Sequence, residues 1–167
     1  MTSIDLRPAT PADAEVIAAI YAHHVLHGTA SFDTEPPDLA YWREKIATVT
    51  GQGWPFVVGV VAGTVAGYAY ATPFRDRPAY AHTCEDSIYV DPAHISQGIG
   101  SALLAALIQR ARTFGFEQMI AVIGGAEPAS AALHAKTGFV EVGRMRAVGR
   151  KFGQVLDTLY MQRDLAV

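Results

Sequence analysis

Cysteine is almost missing from this 167-residue chain, where Cys84 stands alone. One thiol excludes an internal disulfide, so the fold must rest on its core, as suits a reducing compartment. Long apolar runs are also lacking, and none reaches the length of a membrane span. The opening Met1-Thr2-Ser3-Ile4-Asp5 has neither the basic stretch nor the apolar core of a secretory signal. A soluble cytoplasmic protein is expected, with no membrane partner. Charge is sparse, at 17% of residues, and 13 basic against 16 acidic side chains leave a net charge of -3. That balance excludes the basic footprint of a nucleic-acid binder. An anionic ligand would have to be drawn by local groups, not by the field of the whole molecule. No metal site is expected. What the chain does have is apolar material, at 50% of residues, enough to bury a core in one domain spanning 1–167.

Periodicity and punctuation predict an α/β order. Ile4 to Arg7 reads as a short strand closed by Pro8. Thr10-Pro11-Ala12-Asp13 is a helix start, with Pro at the first turn and an acid near the positive end of the dipole. Val16, Ile17, Ile20 and Tyr21 carry that helix to about His24 or Leu26. Asp38 can cap a second helix striped by Leu39, Trp42, Ile46 and Val49. Phe56 to Val61 and Thr64 to Ala71 form a hairpin around Ala62-Gly63. A further strand is expected from Tyr80 to Val90, a long helix from Gly98 to Phe114 and a short buried strand from Met119 to Ile123. A helix from Pro128 to Thr137 follows. The last two strands are Phe139 to Met145 and Val155 to Leu165, with an irregular stretch around Gly149 to Gly153.

Two segments carry chemistry. The first is Tyr89-Val90-Asp91-Pro92 followed by Gln97-Gly98-Ile99-Gly100-Ser101 and an apolar helix. A glycine-rich turn between strand and helix presents bare N–H groups at the helix's positive end, which makes an anion site. The pattern is not a Walker loop, for it lacks the Gly-Lys-Ser/Thr ending, and its spacing fails the Rossmann fingerprint. The second is Ala121-Val122-Ile123-Gly124-Gly125-Ala126-Glu127-Pro128-Ala129-Ser130, then Leu133-His134-Ala135-Lys136-Thr137-Gly138-Phe139. There an apolar strand breaks into a short helix and returns to strand.

Together the two segments resemble the GNAT superfamily of N-acetyltransferases, and the resemblance runs from Ile4 to Leu165. It implies a mixed sheet of about seven strands, splayed between strands 4 and 5 and flanked by about four helices. It implies acetyl-CoA as cosubstrate, with pyrophosphate on the glycine-rich turn and pantetheine in the splay. The cofactor residues so implied are Ile88, Tyr89, Val90, Ile95, Ser96, Gln97, Gly98, Ile99, Gly100, Ser101, Glu127 and Ser130. Two positions depart from the superfamily pattern. Ile95 stands where Gln or Arg is usual, and Gln97 is a substitute donor. Glu127 stands where Asn is usual; its carboxylate can cap the helix but cannot donate to pantetheine.

Thr29-Ala30-Ser31-Phe32-Asp33, Gly67-Tyr68-Ala69-Tyr70-Ala71, Ala79-Tyr80, Glu85-Asp86-Ser87-Ile88-Tyr89-Val90 and Ala121-Val122-Ile123-Gly124 further resemble phosphinothricin and methionine sulfoximine N-acetyltransferases. The implied acceptor is the α-amino group of a small amino-acid analogue, in a detoxifying reaction, and the implied assembly is a homodimer. Glu85 is the implied base and His134 the acid or second base, an imidazole titrating near neutrality. Each has a plainer alternative, a polar strand residue and a packed helix histidine. A backbone N–H near Tyr89 or Val90, where the family strand bulges, is the implied oxyanion donor. Arg75 and Arg77 can grip a carboxylate or phosphinate, with Phe32, Asp76, Tyr80, Asp86 and Ser87 framing the same pocket. His23, His24, His27, His82 and His94 have no comparable placement, and Cys84 on an apolar strand is packing rather than a nucleophile. The competing functions are acetylation of a protein N-terminus or ribosomal protein, and a non-catalytic CoA-binding sensor.

Overall fold

The computed structural model describes residues 3–166. Strand β1 (Asp5–Pro8) leads through a 3-10 turn at Pro11–Asp13 into helix α1 (Ala14–His27). The turn is fixed by Asp13, which is buried and accepts hydrogen bonds from the Thr10 amide at 2.8 Å and from both terminal nitrogens of Arg7. Helix α2 (Leu39–Gly51) starts where Asp38 accepts from the Tyr41 amide at 2.8 Å, the cap expected of it. The hairpin of β2 (Phe56–Val61) and β3 (Thr64–Pro73) follows, then β4 (Thr83–Val90), α3 (Ile99–Phe114), β5 (Gln118–Gly124), α4 (Pro128–Lys136), β6 (Val140–Lys151) and β7 (Gln154–Asp164).

The seven strands form one sheet in the order β1-β2-β3-β4-β5-β7-β6, and β4–β5 is its parallel pair. Two cores sandwich it. On one face α3 packs Leu103, Leu104, Leu107 and Ala111 against Val57, Ala69, Cys84 and Met119. On the other, α1 and α2 bring Ile17, Ile20, Trp42 and Ile46 onto Phe56, Val58 and Tyr68. This is the α/β sheet that the sequence predicts, splay included.

The splay has a clear origin. β4 pairs with β3 along its whole length, from Pro73↔Cys84 to Gly67↔Val90, and β5 pairs with β7 as far as Gly124↔Thr158. Between β4 and β5, however, pairing stops at Asp86↔Ala121. Beyond that point each strand follows its other neighbour, and a wedge opens with Ser87 to Val90 on one side and Val122 to Gly124 on the other. The β3–β4 register is unbroken across Tyr89 and Val90, so the expected bulge is not present as a register shift.

Two further expectations are corrected. Residues Pro78–Tyr80 form a 3-10 turn, so β4 begins at Thr83 instead of Tyr80; Pro78 at the first position favours that turn. β6 extends to Lys151, and the stretch taken as irregular is mostly strand, turning at Phe152-Gly153. Its register against β7 shifts twice, between Glu141 and Gly143 and between Met145 and Gly149. β6 is also the sheet edge, with nearly every residue exposed, so no inside–outside alternation marks it.

Candidate active site

The turn after β4 places an anion site at the tip of α3. Ser96 (φ 65°) and Gly98 (φ 81°) are both left-handed, and the first amide to bond back into the helix is Ala102, onto the Gly98 carbonyl at 3.1 Å. The amides of Ile99, Gly100 and Ser101 therefore have no partner within the helix and face outward at the positive end of the dipole. An alanine at Gly98 would meet no neighbour but would be strained at this φ.

Beside that tip lies a cleft of about 560 Å³. It brings together Ile88, Tyr89 and Val90 from β4, Ile95, Ser96, Gly98, Ile99, Gly100 and Ser101 from the turn, and Glu127 and Ser130 from α4. Gln97 is exposed and not part of the lining. The Glu127 carboxylate caps α4, accepting from the Ala129 amide at 3.2 Å and the Ser130 amide at 2.8 Å. Two histidines set aside on sequence also line the cleft, His24 and His94. His24 Nε2 faces the Val90 carbonyl at 2.8 Å and so must donate to it. No lysine or arginine is among the lining residues. Among the described residues no group of three or more metal-ligating side chains occurs. His23 and His27 have His-x-x-x-His spacing, and their rings lie 4.8 Å apart on α1.

The wedge itself encloses about 150 Å³, lined by Glu85 to Tyr89, Ala121 to Gly124, Ala30, Ser130 and His134. His134 lies on its floor, with a side chain only 3% exposed. Its Nδ1 is 2.7 Å from the Ser130 carbonyl and its Nε2 is 2.8 Å from Asp86 Oδ2. A carbonyl only accepts, so Nδ1 carries a proton. A second proton lies between Nε2 and Oδ2. Burial alone would lower the imidazole's pKa, but the bond to Asp86, its charge and the Ser130 carbonyl together raise it. Both ring nitrogens are thus engaged, Nδ1 with Ser130 and Nε2 with Asp86, and Phe139 closes the pair off edge-on at 4.9 Å.

Glu85 lies on the opposite face of β4. The register sets Tyr68↔Tyr89, Tyr70↔Ser87 and Thr72↔Glu85 side by side, so these residues share the face covered by α1 and α2. Burial raises the Glu85 pKa; Arg75 opposes this, Asp86 adds to it and Lys45 opposes it. Arg75 Nη1 is 3.9 Å from Glu85 Oε2. Its guanidinium stacks on Phe74 at 4.0 Å from the ring centre and donates to the Phe74 carbonyl at 2.9 Å. Tyr80 meets the same Phe74 ring edge-on, while Asp76 and Arg77 are exposed on the loop. Phe32, exposed, rests on two glycines: a Cβ at Gly149 would lie 2.5 Å from its ring, and one at Gly124 3.1 Å. The Cys84 thiol is fully buried and its pKa is pushed up to about 12, so it is no nucleophile.

The acetyltransferase (GNAT) family model matches residues 17–139. The chain belongs to this family. Among curated relatives, a phosphinothricin N-acetyltransferase from Alcaligenes faecalis is 47% identical over 92% of this chain and 78% of its own length. An L-methionine sulfoximine/L-methionine sulfone acetyltransferase from Pseudomonas aeruginosa is 40% identical over 98% of this chain and 95% of its own. A crystal structure of a GNAT superfamily phosphinothricin acetyltransferase from Sinorhizobium meliloti in complex with acetyl-CoA superimposes with a TM-score of 0.95, at 48% identity, over 98% of this chain and 89% of that one.

This GNAT protein is an N-acetyltransferase that uses acetyl-CoA. The cleft suits that cosubstrate: unpartnered amides await a diphosphate, and apolar walls run from there into the wedge. Sequence alone missed His24, His94 and Lys45. Their places depend on how α1, α2 and the β4–α3 turn pack, and no local pattern signals that.

Proposed function

We propose that this enzyme acetylates the α-amino group of a small amino-acid analogue whose side chain ends in a phosphinate, sulfone or sulfoximine. The observation that carries the reading is the pairing of a half-buried Glu85 with Arg75, 3.9 Å away, at the edge of a small wedge. A carboxylate beside an arginine matches an ammonium beside a carboxylate. The names borne by the relatives favour the same class of acceptor. A wedge of about 150 Å³ favours a small acceptor over a polypeptide end, and half-buried Glu85 and buried His134 favour catalysis over a sensor.

In this reading the turn from Ile95 to Ser101 holds the pyrophosphate. Ile88 to Val90, Glu127 and Ser130 border the pantetheine. Glu85, directly or through a water, takes a proton from the acceptor ammonium, and its raised pKa suits a base near neutrality. The free amine adds to the thioester carbonyl. A backbone N–H of Tyr89 or Val90, on the stretch of β4 without a β5 partner, stabilises the oxyanion. The carbon–sulfur bond then breaks. The departing thiolate receives a proton from the reserve held between His134 and Asp86, which solvent replaces. The acylated nitrogen gives up its second proton to water, so that ammonium and thioester yield amide, thiol and one net proton. Arg75 and Arg77 hold the acceptor's acidic group, framed by Phe32, Asp76, Tyr80 and Ser87, whereas the Asp86 side chain is turned away to His134. Val140, Val142, Met145 and Val148 leave an apolar edge on β6, which a second copy of the chain would cover in a cytoplasmic homodimer.

The test is release of CoA thiol with phosphinothricin, methionine sulfone and methionine sulfoximine. Wild type should turn over at least one, and Glu85→Gln should lower kcat by about two to four decades. A variant within threefold of wild type rules out the base.

A further inference from the structure

Lys45 is a cation the mechanism above does not use. It lies on α2, half-buried, with Nζ 5.0 Å from the centre of the Tyr70 ring. Tyr70 pairs with Ser87 and Thr72 with Glu85, so α2 sets this ammonium over the face of β4 on which Glu85 stands. The two side chains are near enough for each to shift the other's protonation. Yet among the described residues Lys45 makes no ion pair within 4 Å and no side-chain hydrogen bond. Lys151, by contrast, donates to the Ser31 carbonyl at 2.7 Å. Burial pulls the Lys45 pKa down and the Glu85 charge only partly opposes it. A partly desolvated ammonium with a ring face but no counter-ion is a position that an anion would stabilise.

We propose that Lys45 is a specificity residue, whose ammonium binds an anionic group at the far end of the acceptor's side chain while Arg75 holds the α-carboxylate. This rests on the amino-acid reading above. The division follows from geometry. The amine and carboxylate of an amino acid share one carbon, so the cation nearest the base takes the carboxylate. Arg75 is within 4 Å of Glu85 and Lys45 is not. Two cations and one carboxylate then complement two anionic groups and one ammonium. An acceptor with an uncharged sulfone head leaves Lys45 unmatched.

The experiment compares kcat/KM for phosphinothricin and methionine sulfone in wild type, Lys45→Met and Lys45→Arg, at saturating acetyl-CoA. Methionine keeps the buried stem, and thermal unfolding of each variant checks that the fold is retained. For Lys45→Met the phosphinothricin value should fall about 10- to 100-fold, the range of a hydrogen bond to a charged group, and mostly through KM. The sulfone value should stay within about threefold, and arginine should restore most of the loss. Equal losses on both substrates, no loss on either, or a wild type that acts on the sulfone but not on phosphinothricin would overturn the role of Lys45. A wild type inactive on every small amino-acid analogue would instead overturn the substrate reading, and Lys45 with it.

Discussion

Removing either half of the His134–Asp86 pair should destabilise the enzyme by an amount readable in a simple melt. The two side chains are 3% and 1% exposed and 2.8 Å apart. Taking one partner from such a pair leaves a buried charge uncompensated, at about 3–5 kcal/mol. For a domain of this length, 1 kcal/mol moves the melting midpoint by about 2–4 °C, so Asp86→Ala or His134→Ala should lower it by about 6–20 °C. In the double variant nothing is left unpaired, and its loss should fall short of the summed single losses by at least about 1 kcal/mol. The sign with pH is also fixed. The imidazole pKa is raised in the folded state, so the pair's contribution is complete below the ordinary histidine value of about 6.5 and is lost as pH rises through the folded value. Wild type should therefore lose stability over that window, and His134→Ala should lose the slope. Circular dichroism melts of the four proteins at pH 6 and pH 8 suffice. Single losses under about 1 kcal/mol that simply add would mean the imidazole is neutral and unpaired.

Two further variants separate the cofactor and acceptor halves of the site. Gly98→Ala forces a side chain into φ 81°, a strain of about 1–2 kcal/mol on the turn that aims the free amides. It should raise KM for acetyl-CoA about tenfold and leave the acceptor KM alone; equal changes in both would place the turn elsewhere in the cycle. Arg75→Ala should raise the acceptor KM by about 10- to 100-fold with acetyl-CoA binding unchanged by calorimetry. Arg75 also holds the Glu85 pKa down. Its loss should move the acidic limb of kcat/KM to higher pH, because Glu85 must be ionised to act as base. A limb that stays put or moves down would separate Arg75 from Glu85.

What the sequence made legible was local. Asp38 caps α2, Ala62-Gly63 turns the hairpin, and Gly98 stands left-handed before α3, because each depends on a few neighbouring residues. The glycine-rich turn could be placed for the same reason. β6 was cut short because its usual signal, an apolar face turned inward, does not exist on an edge strand with both faces exposed. Gln97 was expected to reach the cofactor, but it sits between left-handed Ser96 and Gly98 and turns outward. Asp86 illustrates the same gap in a different way. The resemblance places it in the frame of the acceptor pocket, and only the packing of α4 under β4 reveals that its side chain is buried and bound to His134, 48 residues away. Lys45 was invisible because a lysine on an amphipathic helix reads as solvated unless the tertiary fold lays it over a ring.

The wedge makes sense of the separation between Glu85 and His134. Along a strand, consecutive side chains point to opposite faces, so Glu85 and Asp86 cannot both address a ligand lying on one face of a closed sheet. Where β5 leaves β4 after Ala121, the edge of β4 is open. A ligand in that gap meets odd-numbered side chains from one face, even-numbered ones from the other, and bare backbone between them. In the proposed mechanism proton removal falls to the α1–α2 face, where Arg75 opposes the rise that burial gives the Glu85 pKa, and proton supply to the α3–α4 face, where Asp86 raises the pKa of the His134 imidazole. Had the two groups stood on one face within contact, the acid would have protonated the base and neither would hold the state its step needs. In that mechanism the missing stretch of β-ladder is what lets one strand carry both the base, Glu85, and the carboxylate that holds the acid, Asp86, beside one acyl group without joining them.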